Sequence, residues 1–134
     1  MMRNLKTLIF GVCCLFLMSV GASAKVFNNK ECQFLVNNVN KNLPEQVDTV
    51  TWLINSTCLV HGGKAEFTYV YHIDTKRISV KSLPNSFAKR TIRGFCTNPD
   101  SRVFLNGVTK MRMDYYDKAS GDFFGRIEFN QSDC

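Results

Sequence analysis

The chain has 134 residues, 12 % of them aromatic, and a formal charge of +6, enough for one domain with one modest core and too little for two. The basic excess is mild and includes Arg3 and Lys6, which leaves +4 on residues 25–134. No stripe of Lys and Arg is interleaved with stacking aromatics, so nothing points to nucleic acid.

Residues 1–24 read as a cleaved export signal: Arg3 and Lys6 form a basic start, residues 8–20 an apolar run, and Ala22-Ser23-Ala24 a small-residue exit. The apolar run is short for a membrane span. Cys13 and Cys14 lie inside it, but Val12 stands where lipoprotein processing wants a small residue, so a lipid anchor is not expected. Residues 25–134 are then the expected single domain, and any membrane association would be indirect.

Four cysteines follow the leader, Cys32, Cys58, Cys96 and Cys134. In an exported chain an even number reads as two structural disulfides. Three connectivities are open and the sequence does not choose among them. Local logic favours Cys32 with Cys58 and Cys96 with Cys134, which keeps each bond inside its own half of the chain. There is no C-x-x-C and no histidine beside a cysteine pair, so neither a redox motif nor a zinc site is expected.

In chain order, residues 32–42 form a short amphipathic helix, with Phe34 or Leu35, then Val39 and Leu43, at three- and four-residue spacing, stopped by Pro44. It is rich in Asn, a weak helix former, so packing must hold it. Residues 47–60 are rich in β-branched and aromatic residues and read as one strand. His61-Gly62-Gly63-Lys64 is a turn, and residues 65–73 return with Phe67, Tyr69 and Tyr71 on a dry face and Glu66, Thr68, Val70 and His72 on a wet one. Residues 74–80 form a linker or edge strand. A helix follows through Phe95, with Phe87, Thr91 and Phe95 spaced by four, and Asn98-Pro99-Asp100 opens a second short helix that Gly107 can end.

The last two runs alternate on either side of D-K-A-S-G at residues 117–121 and read as a β-hairpin. The first places Met111, Met113 and Tyr115 on one face, and the second places Phe123, Gly125, Ile127 and Phe129 together. A bond from Cys134 back to Cys96 would stop the last strand fraying. The order α-β-β-α-α-β-β gives an α+β architecture, a single antiparallel sheet built from two hairpins with helices on one face.

Groups placed for catalysis are few. His61 reads as a solvated turn residue and His72 as a satisfied or exposed strand histidine. The disulfides occupy the cysteines, and neither G-x-S-x-G nor H-E-x-x-H occurs. Asp114, Asp117, Asp122, Glu128 and Asp133 fit a wet sheet face. The chain is therefore expected to be a binding protein rather than an enzyme, with no cofactor and no metal. Lys81, Lys89, Arg90, Arg93 and Arg102 cluster in the helical middle, which favours an acidic partner or simply marks a solvated face. Phe123 and Phe124, like Tyr115 and Tyr116, are adjacent, so in a strand one of each pair points outward. Phe87, Arg90, Arg93, Tyr116 and Phe124 are the candidate partner contacts.

These residues resemble a family. N-N-V-N-K-N-L-P at residues 37–44, a hairpin, F-C-T-N-P at residues 95–99, N-G-V at residues 106–108, D-K-A-S-G and the closing Asp133-Cys134 are similar to the α+β pilotins of type II secretion systems. The resemblance implies a sheet flanked by helices and a bond between Cys96 and Cys134. It also implies a partner, the C-terminal segment of a secretin subunit, which pilotins bind and carry to the outer membrane. The chain departs from the family in lacking a lipobox and in carrying the extra cysteines Cys32 and Cys58. The second expectation is a soluble periplasmic inhibitor or immunity protein that inserts residues 61–64 or 117–122 into the cleft of a cell-wall hydrolase or secreted toxin.

Overall fold

A computed structural model describes residues 26–134; the expected leader lies outside the described residues. Helix α1 (Asn29–Asn40) starts where the Asn28 side chain accepts a hydrogen bond from the Glu31 amide at 2.9 Å, satisfying a donor that the first turn leaves free. It buries Cys32, Leu35, Val36 and Val39 and leaves Phe34 54 % exposed, which resolves the Phe34-or-Leu35 alternative.

The residues expected to form one strand divide into β1 (Glu45–Asp48) and β2 (Thr51–His61), joined by a tight turn at Thr49 and Val50. The Asp48 side chain accepts from the Val50 amide at 2.9 Å, an Asp-nucleated turn without the glycine that would have marked it. β3 (Lys64–Ile73) returns through Gly62 and Gly63, whose φ values are 58° and 78°. The expected linker holds a 3₁₀ turn (Thr75–Arg77). Then come α2 (Asn85–Thr97) and α3 (Pro99–Leu105), the latter opened by Asn98 accepting from Asp100 and Ser101 amides at 3.0 and 3.1 Å. β4 (Val108–Asp117) and β5 (Phe123–Phe129) complete a five-stranded sheet in the order β1-β2-β3-β4-β5.

Both hairpins form, but they meet in parallel: β3 pairs with β4 from Ala65↔Val108 to Ile73↔Asp117. The sheet is therefore mixed, which corrects the expected all-antiparallel arrangement. Residues 74–107, carrying α2 and α3, supply the long crossover that parallel neighbours require. Its far end is fastened where the Ala65 amide donates to the Gly107 carbonyl at 2.9 Å.

The helices cover one face. Phe27, Phe67 and Phe104 pack at centroid distances of 5.1–5.9 Å, Phe95 meets Phe129 edge-on at 5.1 Å, and Phe87 meets Tyr115 at 5.9 Å. Tyr71 and Tyr115 stack across the parallel pair, 4.8 Å apart and 13° from coplanar. Burial pushes both hydroxyls above the ordinary phenol range. Two disulfides fasten the layer, Cys32–Cys58 from α1 to β2 and Cys96–Cys134 from α2 to the chain end, with Cα separations of 5.6 and 5.3 Å.

Asn40 explains how an Asn-rich helix is held. Beyond Leu53, β2 runs past the end of β1, and the Ser56 backbone on that side pairs with the Asn40 side chain. The Asn40 amide donates to the Ser56 carbonyl at 3.0 Å and its oxygen accepts from the Ser56 amide at 2.9 Å. One side chain thus stands in for a missing strand neighbour.

Two substitutions test this packing by urea unfolding of the oxidised protein. Asn40→Ala leaves those partly buried groups unsatisfied and lowers stability by about 2–4 kcal/mol. Gly125 lies opposite Tyr115, and a Cβ there would stand 2.6 Å from the Leu83 Cβ. Gly125→Ala therefore costs about 1–3 kcal/mol through overpacking.

Candidate partner-binding surface

Parallel pairing brings the C-terminal ends of β3 and β4 to one end of the sheet, beside the start of β5. The loop after Asp117 is built on that residue. Its carboxylate accepts from the Thr75 hydroxyl at 2.7 Å, the Ser120 hydroxyl at 2.7 Å and the Ser120 amide at 3.0 Å. The Lys118 amide donates to the Ile73 carbonyl at 2.8 Å, and Gly121 closes the turn at φ 76°. Hydrogen bonds from the Ser120 side chain, then from Thr75, hold the Asp117 carboxyl well below the usual carboxylate range.

Between this loop and residues 78–81 lies a cleft of about 480 Å³. Ile78, Val80 and Lys81 form one wall and Phe123 and Phe124 the other. The β4–β5 register shifts between Tyr115 and Tyr116, which face Gly125 and Phe123 respectively, leaving Phe124 as the extra residue of a bulge. Phe123 is thereby turned outward, 56 % exposed, and Phe124 packs partly against the core. This corrects the expectation that Phe123 shares a face with Gly125, Ile127 and Phe129.

On the uncovered face, Trp52, His72, Tyr116 and Phe123 are successive cross-strand neighbours. The Tyr116 and Phe123 rings are 5.6 Å apart, and the Lys118 Nζ sits 3.8 Å above the Trp52 ring. Below this row the face is charged and internally paired: Arg126 with Asp114 at 2.5 Å, Arg112 with Glu128 at 3.0 Å, and Lys110 with Glu66 at 3.7 Å. The Asp114 carboxylate raises the Arg126 pKa further above its ordinary value.

The structure separates the five candidate contacts. Phe87 packs inward on Tyr115, Arg90 and Arg93 are exposed on α2, Tyr116 lies on the opposite sheet face, and Phe124 lines the cleft. They do not make one patch. Trp52, His72 and Phe123 were missed because their alignment depends on the parallel β3–β4 register, which no local pattern encodes. His61 is exposed, 3.9 Å from Glu66. Among the described residues no three His, Cys, Asp or Glu side chains are grouped to hold a metal ion, and the four cysteine sulfurs are joined in disulfides.

No family model and no curated protein matches the chain. Its fold is found in solved structures. A protein of Pseudomonas aeruginosa described as secreted has a TM-score of 0.62 at 17 % identity, with 85 % of this chain and 99 % of that one covered. EpsS, the pilotin of the Vibrio vulnificus type 2 secretion system, has a TM-score of 0.53 at 13 % identity, with 78 % and 93 % covered. AspS, the type II secretion pilotin of Vibrio cholerae, has a TM-score of 0.46 at 16 % identity, with 99 % and 94 % covered. The chain shares its fold with the pilotin EpsS and with the Pseudomonas aeruginosa protein.

Asp117 gives the cleft wall a pH dependence whose sign is fixed. The folded carboxyl has a lower pKa than the unfolded one, so its stabilisation is complete above about pH 4 and is lost as pH falls toward the depressed folded value. Asp117→Asn is expected to be less stable than the parent near neutrality, with the gap in thermal midpoint narrowing as pH drops from about 6 to about 2. A gap independent of pH would remove the carboxylate from this account.

Proposed function

We propose that this is an exported accessory protein of the cell envelope that holds a segment of a partner protein, the C-terminal segment of a secretin subunit, as a pilotin does. The observation that carries the reading is the fold shared with EpsS over 93 % of that chain. A fold hosts many functions, so the surface must agree with it. The cleft between residues 78–81 and the loop after Asp117 sets Ile78, Val80, Phe123 and Phe124 among polar groups, which fits a docked segment that presents an apolar side chain beside polar ones. Phe123 and Phe124 supply the apolar contact, and Tyr116 packs against Phe123 from the open face; Phe87 packs α2 onto Tyr115, and Arg90 and Arg93 are exposed on α2. The leader-like residues 1–24, two disulfides, and the likeness to a secreted protein support the periplasm as the compartment.

The experiment is capture of envelope proteins from the source cells on tagged, oxidised protein, in parallel with titration of a fluorescent peptide carrying the C-terminal segment of the cells' own secretin. Recovery of the secretin and saturable peptide binding are expected, with Phe124→Asp weakening binding about tenfold or more. Recovery of a hydrolase or toxin without the secretin, and no peptide binding, would replace the pilotin reading with the inhibitor one.

A further inference from the structure

From Ile78 to Thr97 the chain contains Lys81, Lys89, Arg90 and Arg93 and no Asp or Glu. With Arg3, Lys6 and Lys25 set aside, residues 26–134 carry +3 in all, so this one segment holds +4 and the remainder is slightly acidic. The asymmetry is spatial as well. On the open sheet face Lys110, Arg112 and Arg126 each have a carboxylate within 4.0 Å. On α2, Lys89, Arg90 and Arg93 are exposed and have no carboxylate within ion-pair distance among the described residues. Lys89 and Arg93 stand four residues apart and Arg90 and Arg93 three, so they are neighbours whose repulsion costs the isolated helix a few tenths of a kcal/mol per pair.

We infer that the partner segment is acidic: an apolar side chain enters the cleft between Val80 and Phe123, and carboxylates beside it pair with Lys89, Arg90 and Arg93 along the outer side of α2. The inference rests on the reading of the chain as a segment-binding accessory protein and adds the chemistry of the segment. Arginine suits the role, since its planar fork takes a carboxylate through two parallel hydrogen bonds. An anionic bilayer fits less well. Between Asn85 and Thr97 there is no exposed large apolar side chain to insert, and a small basic patch without such an anchor holds a membrane weakly. The exposed apolar groups Val80 and Phe123 instead border a cleft that can take part of a polypeptide segment.

The test is selection of random 15-residue phage-displayed peptides on the oxidised protein purified from periplasm, at about 150 mM NaCl, where exposed charges act only at short range. Enriched peptides should carry two or more Asp or Glu residues beside a bulky apolar residue. The best of them, made synthetically, should lose about tenfold or more in affinity on Arg90→Glu/Arg93→Glu. Replacing its carboxylates with lysine should restore binding to that variant. Unchanged far-ultraviolet circular dichroism and unfolding midpoint would show that the variant is folded, since both positions are on the surface. Peptides without acidic residues, affinity indifferent to the double reversal, or no enrichment at all would each overturn the inference. So would protein that sediments with vesicles of phosphatidylglycerol and phosphatidylethanolamine through Arg90 and Arg93 while ignoring acidic peptides. The secretin peptide separates the two ideas. If it fails to bind while acidic peptides bind on α2, the pilotin reading falls and the acidic-partner inference stands. If it binds undiminished by the double reversal, the opposite holds.

Discussion

The parallel pairing of β3 with β4, closed on the dry side by the Tyr71–Tyr115 stack, is the constraint on which the rest depends. Parallel neighbours cannot be joined by a tight turn, so residues 74–107 must leave one end of the sheet and re-enter at the other. The apolar stripe of α2 holds them over the face they cover, where Phe87 meets Tyr115 and Phe95 meets Phe129. One face is thereby roofed and the other left open. The same pairing places the ends of two strands side by side, where the loop between β4 and β5 and the start of the crossover form the cleft. A purely antiparallel sheet would send one of those ends to the opposite edge, and the cleft would lose a wall.

What was legible in the sequence follows the range of the interactions that determine it. Period-two alternation is local, so both hairpins and the dry faces of β3 and β4 could be read directly, as could the Asn98-Pro99 helix start. The pairing between hairpins is a contact across residues 74–107, and each hairpin's pattern is equally satisfied by either direction. The division between β1 and β2 escaped because Asp48 closes that turn with its side chain, and an isolated Asp before Thr-Val carries no glycine signal. Phe123 and Phe124 could be recognised as facing opposite ways, but which faced outward was fixed by a one-residue bulge at Tyr116. That bulge in turn accommodates Leu83 over Gly125, a contact between segments distant in the chain.

The ionic groups sort by surface. Where the sheet is open, cations and carboxylates alternate on neighbouring strands and neutralise each other, which blunts an otherwise exposed face. The aromatic row at its end is likewise attended by Lys118 and Arg126. On α2 that compensation is missing. Exposed pairs contribute little to stability, so folding exerts little demand for the compensation. The contrast therefore bears on what approaches the surface rather than on what holds it together.

The disulfides bear on binding in a related way. Each joins the helical layer to something outside it: Cys32 ties α1 to β2, and Cys96 ties α2 to the chain end beyond β5. A terminal 3₁₀ turn (Gln131–Asp133) is itself closed by side chains: Asn130 accepts from the Ser132 amide at 2.8 Å, and Asp133 accepts from the Asn130 amide at 2.8 Å. So α2 is fixed by Leu83 and Phe87 at its beginning and by Phe95 and the disulfide toward its end. A helix held at both ends presents its outer side and the adjoining cleft in one arrangement before any partner arrives. For the proposed segment-binding role, the backbone ordering cost of association would then fall on the partner segment, which favours a small surface binding a short stretch of chain over one that must itself rearrange.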